Sequence, residues 1–247
     1  MLNFIIIFKI KEVFLFKMLS YDKVGITKID RSNTDRVIRI AKNRFMCPTL
    51  ENEFFMQKEA SDCFKKFVSD EFLNFVEIVE PNDYRVNDKT GICSYSMYRI
   101  EPFPRYKEPF IVRFDDENLV KTLEKLVARD NNVLNTKNMS LSSTVYNIGV
   151  LIGFLQLRCG QDGFGVKIVL GYNNVLKRSK LYMTNFTFSS HISQNLRISF
   201  DRIVNVLQSG IYPDSSSKYF KDFSNGYLST IEMGDNRNII ENIVDSL

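Results

Sequence analysis

Residues 145–188 read VYNIGVLIGFLQLRCGQDGFGVKIVLGYNNVLKRSKLYMTNFTF. Three apolar, aromatic-rich runs are separated by a Gly160-Gln161-Asp162-Gly163 turn and by a basic connector, Lys177-Arg178-Ser179-Lys180. Apolar runs bounded by glycine and polar turns predict strands. The stretch is therefore expected to be a β-meander with one face in the core, the other carrying Arg158, Lys167, Lys177, Arg178 and Lys180. Built outward from it, the chain is expected to be α+β, an antiparallel sheet or small barrel with several flanking helices.

On the C-terminal side, Ser193 is expected to cap a helix whose stripe is Leu196, Phe200, Ile203, Val204 and Leu207, with Gly210 as its stop. Tyr212–Gly226 is a Ser-rich stretch expected to be a loop, and Asp235 opens a short last helix through Ile239, Ile240, Ile243 and Val244. On the N-terminal side, residues 130–140 are the candidate internal linker. Asp115 or Asp116 caps a helix with Leu119, Leu123, Leu126 and Val127 on one face. Phe110–Phe114 reads as a short strand, and Pro102, Pro104 and Pro109 make Glu101–Pro109 a loop. Tyr84-Arg85-Val86 and Ile92–Ile100 flank Asn87–Gly91 as a β-hairpin. Phe72–Val79 reads as a strand, and Thr49 caps a helix carrying Phe55, Met56, Ala60, Cys63, Phe64, Phe67 and Val68. Asp35–Phe45 fits either a basic helix or a strand with Ile38 and Ile40 inward.

The first 17 residues are apolar but broken by Lys9, Lys11, Glu12 and Lys17, too short a run to span a bilayer. They read as a start-site extension before Met18, with an interfacial segment or membrane anchor as the alternative. Residues 18–247 then form one α+β domain, and no integral membrane association is expected.

The chain has 247 residues, 44% hydrophobic and 25% charged, with 21 Phe, 11 Tyr and no Trp. That is the make-up of a globular protein with ample core. A net charge of +4 alone points to no partner. Its distribution says more: residues 140–200 hold six basic side chains (Arg158, Lys167, Lys177, Arg178, Lys180, Arg197) against Asp162, whereas 201–247 hold four basic and seven acidic. Such asymmetry suggests an anionic partner. A solvated basic face is the bland alternative.

Four scattered cysteines and one histidine give no metal-ligand spacing, so neither metal nor cofactor is expected. Free thiols predict a reducing compartment, cytoplasm or nucleus, and make the sequons at Asn138 and Asn185 chance matches. The phosphate-loop, nucleophile-elbow, zinc-protease and EF-hand motifs are all missing from the sequence. Gly160–Gly165 lacks the helix and lysine of a phosphate loop and reads as a hairpin turn. Histidine catalysis would have to use His191, with Cys159 as its conceivable partner; both have plainer readings, a surface or cap histidine and a small buried cysteine beside a turn.

The remaining constellation is basic and aromatic. Single-strand binders combine a positive groove with aromatic faces on which bases stack, worth about 1–3 kcal/mol per base. The candidate nucleic-acid-binding set is Arg158, Phe164, Lys167, Tyr172, Lys177, Arg178, Lys180 and Tyr182. In the third run Tyr182, Thr184, Phe186 and Phe188 should share one face, and in the second Lys167 and Val169 should point away from Val166, Ile168 and Leu170. Tyr98, Arg99, Arg105, Tyr106 and Lys107 make a second group. A long basic, aromatic hairpin followed by an acidic end is similar to the oligonucleotide-binding (OB) folds of single-stranded DNA-binding proteins. That likeness implies a barrel and nucleic acid as partner. The competing expectation is a structural or assembly protein, for example a viral accessory or virion protein, partnered by protein or by its own copies. Convergence of the basic side chains around exposed aromatics separates the two.

Overall fold

Strand alternation builds the first of two units in the computed structural model, which describes residues 18–114, 117–134, 140–176, 178–193, 195–209, 212–231 and 237–247. The first unit comprises the chain up to Phe54 with Pro81–Arg99, the second Phe55–Glu80 with Ile100–Leu247. The reading of residues 1–17 lies outside the described residues, as do Asp115, Asp116, Lys177, Gly210 and Asp235.

In the first unit β1 (Met18–Tyr21), β2 (Gly25–Ile29), β3 (Arg36–Ala41), β5 (Pro81–Val86) and β6 (Cys93–Tyr98) form an antiparallel sheet in the order β1-β2-β3-β6-β5. The segment 35–45 is thus mainly strand, but its inward face is reversed from the expectation. Val37, Arg39 and Ala41 are buried, while Ile38 and Ile40 are half-exposed. Arg39 turns inward because carboxylates meet it there. Gly91 closes the β5–β6 hairpin at φ 65°, a left-handed conformation that glycine adopts without steric cost. Helix α1 (Cys47–Phe67) begins two residues before the expected Thr49 cap. Pro48 sits in its first turn, where a helix needs no amide donor. Phe54 packs its ring on Tyr84 and Tyr95, centroids 5.4 and 5.7 Å apart.

The second unit contains α2 (Asp70–Leu73), β4 (Val76–Ile78), β7 (Phe110–Ile111), α3 (Glu117–Leu134), α4 (Leu141–Gly153), β8 (Lys167–Asn173), β9 (Arg178–Thr184), α5 (Leu196–Leu207), α6 (Phe220–Leu228) and α7 (Arg237–Asp245). Its sheet runs β4-β9-β8-β7, parallel between β4 and β9 and otherwise antiparallel. The fold is α+β with two open sheets; neither closes into a barrel among the described residues. Of the candidate linker 130–140, residues 130–134 end α3, 135–139 lie outside the described residues, and Ser140 caps α4.

The meander is corrected at its first run, which is helix. Ser140 and Ser143 form a reciprocal capping box that starts α4, and a π-helical turn, Phe154–Arg158, ends it. Leu141, Val145, Ile148, Ile152 and Leu155 recur at helical spacing and are all buried. The glycines explain the rest. A Cβ on Gly149 would strike the Phe223 carbonyl of α6, and one on Gly226 would strike that of Tyr146. The backbones of α4 and α6 touch at these points, which is also why α6 interrupts the loop expected over Tyr212–Gly226. Phe72–Val79 is likewise part helix, with only Val76–Ile78 extended. At α5 the cap is Asn195, whose side chain accepts from the Arg197 amide, rather than Ser193.

The cysteines correct a further expectation. Cys47 is bonded to Cys93 within the first unit and Cys63 to Cys159 within the second, with Cα atoms 5.5 and 5.8 Å apart. The reducing-compartment reading rested on free thiols and loses that basis. No helix among the described residues is long and apolar enough to cross a membrane.

Burial pushes the phenols of Tyr95, Tyr212 and Tyr227 above the ordinary tyrosine value of 10.0. A raised phenol pKa means that the folded state retains protons which the unfolded chain releases. Stability is therefore present in full below about pH 10 and lost above it, at about 1.4 kcal/mol per pH unit per group. The expected titration shows exposed tyrosines ionising first. The buried phenols should follow with loss of circular dichroism, Tyr95 as the first unit unfolds and Tyr212, Tyr219 and Tyr227 as the second does. Smooth ionisation of every tyrosine with the dichroism intact would contradict it.

Candidate interaction site

The two strands read as β8 and β9 do form the expected hairpin, with Lys167 opposite Thr184 and Asn173 opposite Arg178. Two of the basic residues on it, Arg178 and Lys180, are engaged inside the protein. Lys180 is buried, its Nζ 2.7 Å from Glu77 Oε2 on the neighbouring β4. Arg178 lays its guanidinium over the Phe75 ring, 4.2 Å from the centroid, a cation–π contact. Arg158, at the end of the π-helical turn, donates from Nε to the Thr230 carbonyl at 3.2 Å. Lys167 is half-buried at the start of β8, and Val169, expected outward, is buried. Lys177 lies outside the described residues.

The aromatic candidates divide. Tyr172 is half-buried, its ring 5.9 Å from that of Phe103 and its amide bonded to the Glu101 carbonyl. Tyr182 is half-buried under the Lys180 ammonium, and burial pushes its phenol up. Gly171, next to Tyr172, sits so close to Ile100 and Glu101 that a Cβ would meet both. Only Phe164, at 48%, is an exposed ring of the candidate set. Among the described basic residues, Arg158, Arg178 and Lys180 turn to partners inside the second unit rather than to Phe164. In the second group Tyr98 and Arg99 belong to the first unit and Arg105–Lys107 to the second.

What the structure brings together instead is Phe164 and Phe188. Their ring centroids lie 6.5 Å apart, and Phe188 is 50% exposed. Sequence alternation places Phe186 and Phe188 on one face, but Asn185 has φ 65° and ends the strand. Phe186 then turns into the core, fully buried, and Phe188 turns out. Phe188 rests on Gly165, where a Cβ would come within 3.2 Å of its Cδ2.

Asp162 fastens the two loops that present these rings. It is fully buried. Its Oδ1 accepts from the amides of Phe164 at 3.0 Å and Ser190 at 2.9 Å and from the Ser189 hydroxyl at 3.3 Å. Its Oδ2 receives the Arg202 guanidinium of α5. Behind it, Gln156 donates to the Asp162 carbonyl and accepts from the Tyr227 hydroxyl, both at 2.8 Å. A buried carboxylate with these donors is satisfied, and fixes the backbone on both sides of the pair. The sequence reading missed this role because Asp162 stood out only as the lone acid among basic residues.

Other arrangements do less chemistry. Cys159 is cross-linked to Cys63 and offers no thiol to His191, which lies exposed beside Glu59 at 3.1 Å. Among the described residues no group of three or more His, Cys, Asp or Glu is placed to hold a metal ion. A pocket of about 420 Å³ in the second unit includes Glu124, Lys218 and Tyr219 in its wall. Its charges meet one another, Lys218 Nζ lying 2.7 Å from Glu124 Oε1, which also accepts from the Tyr219 hydroxyl.

In the first unit Arg39 is buried between Glu53 on α1, 3.2 Å away, and Asp22, 2.7 Å away, and the Tyr95 hydroxyl donates to Glu53 at 2.8 Å. Burial pushes the Asp22 carboxyl up, but the Gly25 amide and the Arg39 guanidinium outweigh it and hold the group below 3.8. A strand cation bonded to a helix carboxylate is also how protein kinases hold the phosphates of ATP. Here the cation is arginine, its donors are met by Glu53, Asp22 and Thr27, and the β1–β2 turn, Asp22–Val24, has no glycine of its own, Gly25 being the first residue of β2. The network reads as structural. Neither a protein-family model nor a curated protein matches the sequence.

Proposed function

We propose that this chain is an interaction protein whose contact with a protein partner is centred on Phe164 and Phe188. The observation that carries the reading is the exposed aromatic pair itself, held in place by loops fastened on Asp162. Exposed aromatics are the usual anchors of protein interfaces, and a site fixed beforehand loses little ordering entropy on binding. Against nucleic acid weighs the engagement of Lys180 with Glu77 and of Arg178 with Phe75. The partner class is a segment bearing an apolar or aromatic side chain that lies across the two rings.

Peptide display against the full chain, counter-selected with Phe164→Ala/Phe188→Ala, tests it. Recovered peptides should carry apolar anchors and bind the double variant at least about tenfold more weakly. The melting temperature of the double variant should stay close to wild type, since both rings are half in water. Peptides indifferent to the substitution would overturn the reading.

Single-stranded nucleic acid is the second reading. It is favoured by the same exposed faces, on which bases stack as readily, and by the basic excess of residues 140–200. A labelled oligonucleotide titrated against salt separates the two. Saturable binding that weakens steeply as salt rises would establish nucleic acid as the partner; the protein-partner reading expects none.

A further inference from the structure

We infer that Cys47–Cys93 and Cys63–Cys159 close in the native protein by exchange with a disulfide donor, and that the fold depends on both links. Each pair joins distant elements within one unit: the start of α1 to β6, and the last turns of α1 to the end of the π-helical turn. Cys93 is fully buried and its three counterparts are half-buried. None of the four cysteines is left over. Four cysteines allow three pairings, and the fold selects this one.

The links close loops between residues 46 and 96 positions apart. Long closed loops remove much conformational freedom from the unfolded chain, so their effect on stability is large, and larger for Cys63–Cys159. In each closure one thiol loses its proton and the thiolate attacks a sulfur of the donor disulfide, expelling a donor thiolate. The second cysteine thiolate then attacks the mixed disulfide and expels the other. Two protons and two electrons leave the cysteine pair, and the donor is reduced to two thiols. A chain whose every cysteine is committed in this way belongs to an oxidising compartment, a secretory lumen or an outer surface, rather than to cytoplasm or nucleus. The sequon at Asn185 gains nothing from that placement, because its side-chain amide already donates to the Gly165 carbonyl at 3.1 Å.

The test equilibrates the full chain in glutathione buffers of graded ratio, traps free thiols with a maleimide, and maps the linked peptides without reduction. Melting is followed with and without reductant in wild type, Cys47→Ala/Cys93→Ala and Cys63→Ala/Cys159→Ala. The expected result is that all four cysteines resist labelling at the oxidised-to-reduced glutathione ratio of a secretory lumen, linked in these two pairs. Reductant should lower the wild-type Tm by about 10 °C or more. The reductant-dependent shift left in Cys47→Ala/Cys93→Ala, which reports Cys63–Cys159 alone and is free of packing effects, should exceed that left in the other variant. Labelled cysteines at that ratio, a different pairing, or a Tm indifferent to reductant would overturn the inference.

Discussion

Glu53→Ala is expected to destabilise the first unit by about 3–5 kcal/mol, the usual cost of removing one partner from a buried ion pair. The substitution leaves Arg39, 2% exposed, with its guanidinium facing the emptied site, and removes the acceptor of the Tyr95 hydroxyl. Asp22 cannot make up the loss, because it is half in water and already bonded to Arg39. The measurement is the urea midpoint of the sheet's dichroism, beside Arg39→Met/Glu53→Leu. Apolar side chains of similar volume need no charge partner, so once Tyr95→Phe is added to remove the hydroxyl that Glu53 accepted from, the variant should lie within about 1–2 kcal/mol of wild type or above it. A single variant costing less than about 1 kcal/mol would mean that the buried charge is not held as described.

Asp162→Ala should cost a similar amount in the second unit, about 3–5 kcal/mol, for a different reason. Two backbone amides, a hydroxyl and a guanidinium lose one common acceptor; the buried Ser189 hydroxyl and the part-buried amides carry most of the cost, while Arg202, 52% exposed, turns to water. Asp162→Asn keeps an acceptor toward the amides but turns an NH₂ toward Arg202, so it should fall between Ala and wild type. Both variants should also weaken peptide binding by more than the melting shift accounts for, because Phe164 and Phe188 lose their fixed spacing. A stable Asp162→Ala variant with intact binding would remove Asp162 from its role.

Local signals carried a fair part of this fold. The β8–β9 hairpin, the Asn87–Gly91 turn and helix α5 follow from alternation, glycine placement and a helical apolar stripe, which act over a few residues. Residues 145–158 are helix against the expectation of a strand, because an apolar run suits a buried strand and a buried helix alike. The decision came from Ser140 before it and from the packing of Gly149 against α6, which is invisible until α6 is known. Arg39 faces inward because Glu53 and Asp22 lie 14 and 17 positions away, beyond any strand pattern. Cysteine pairing is not written in cysteine spacing. At the candidate site, sequence singled out Phe164 among basic residues; the side chain of Lys180 meets Glu77, and Phe188 reaches the surface through the backbone reversal at Asn185, neither of which a strand pattern shows.

The most direct measurement compares one display-selected peptide on three proteins by calorimetry at low and high salt: wild type, Phe164→Ala/Phe188→Ala and Arg178→Ala/Lys180→Ala. If the contact is the aromatic pair, the first variant loses about tenfold or more in affinity, the second binds like wild type although it melts lower, and salt changes little. The reverse pattern, with binding lost alongside Arg178 and Lys180, steep in salt and indifferent to the two phenylalanines, would contradict it.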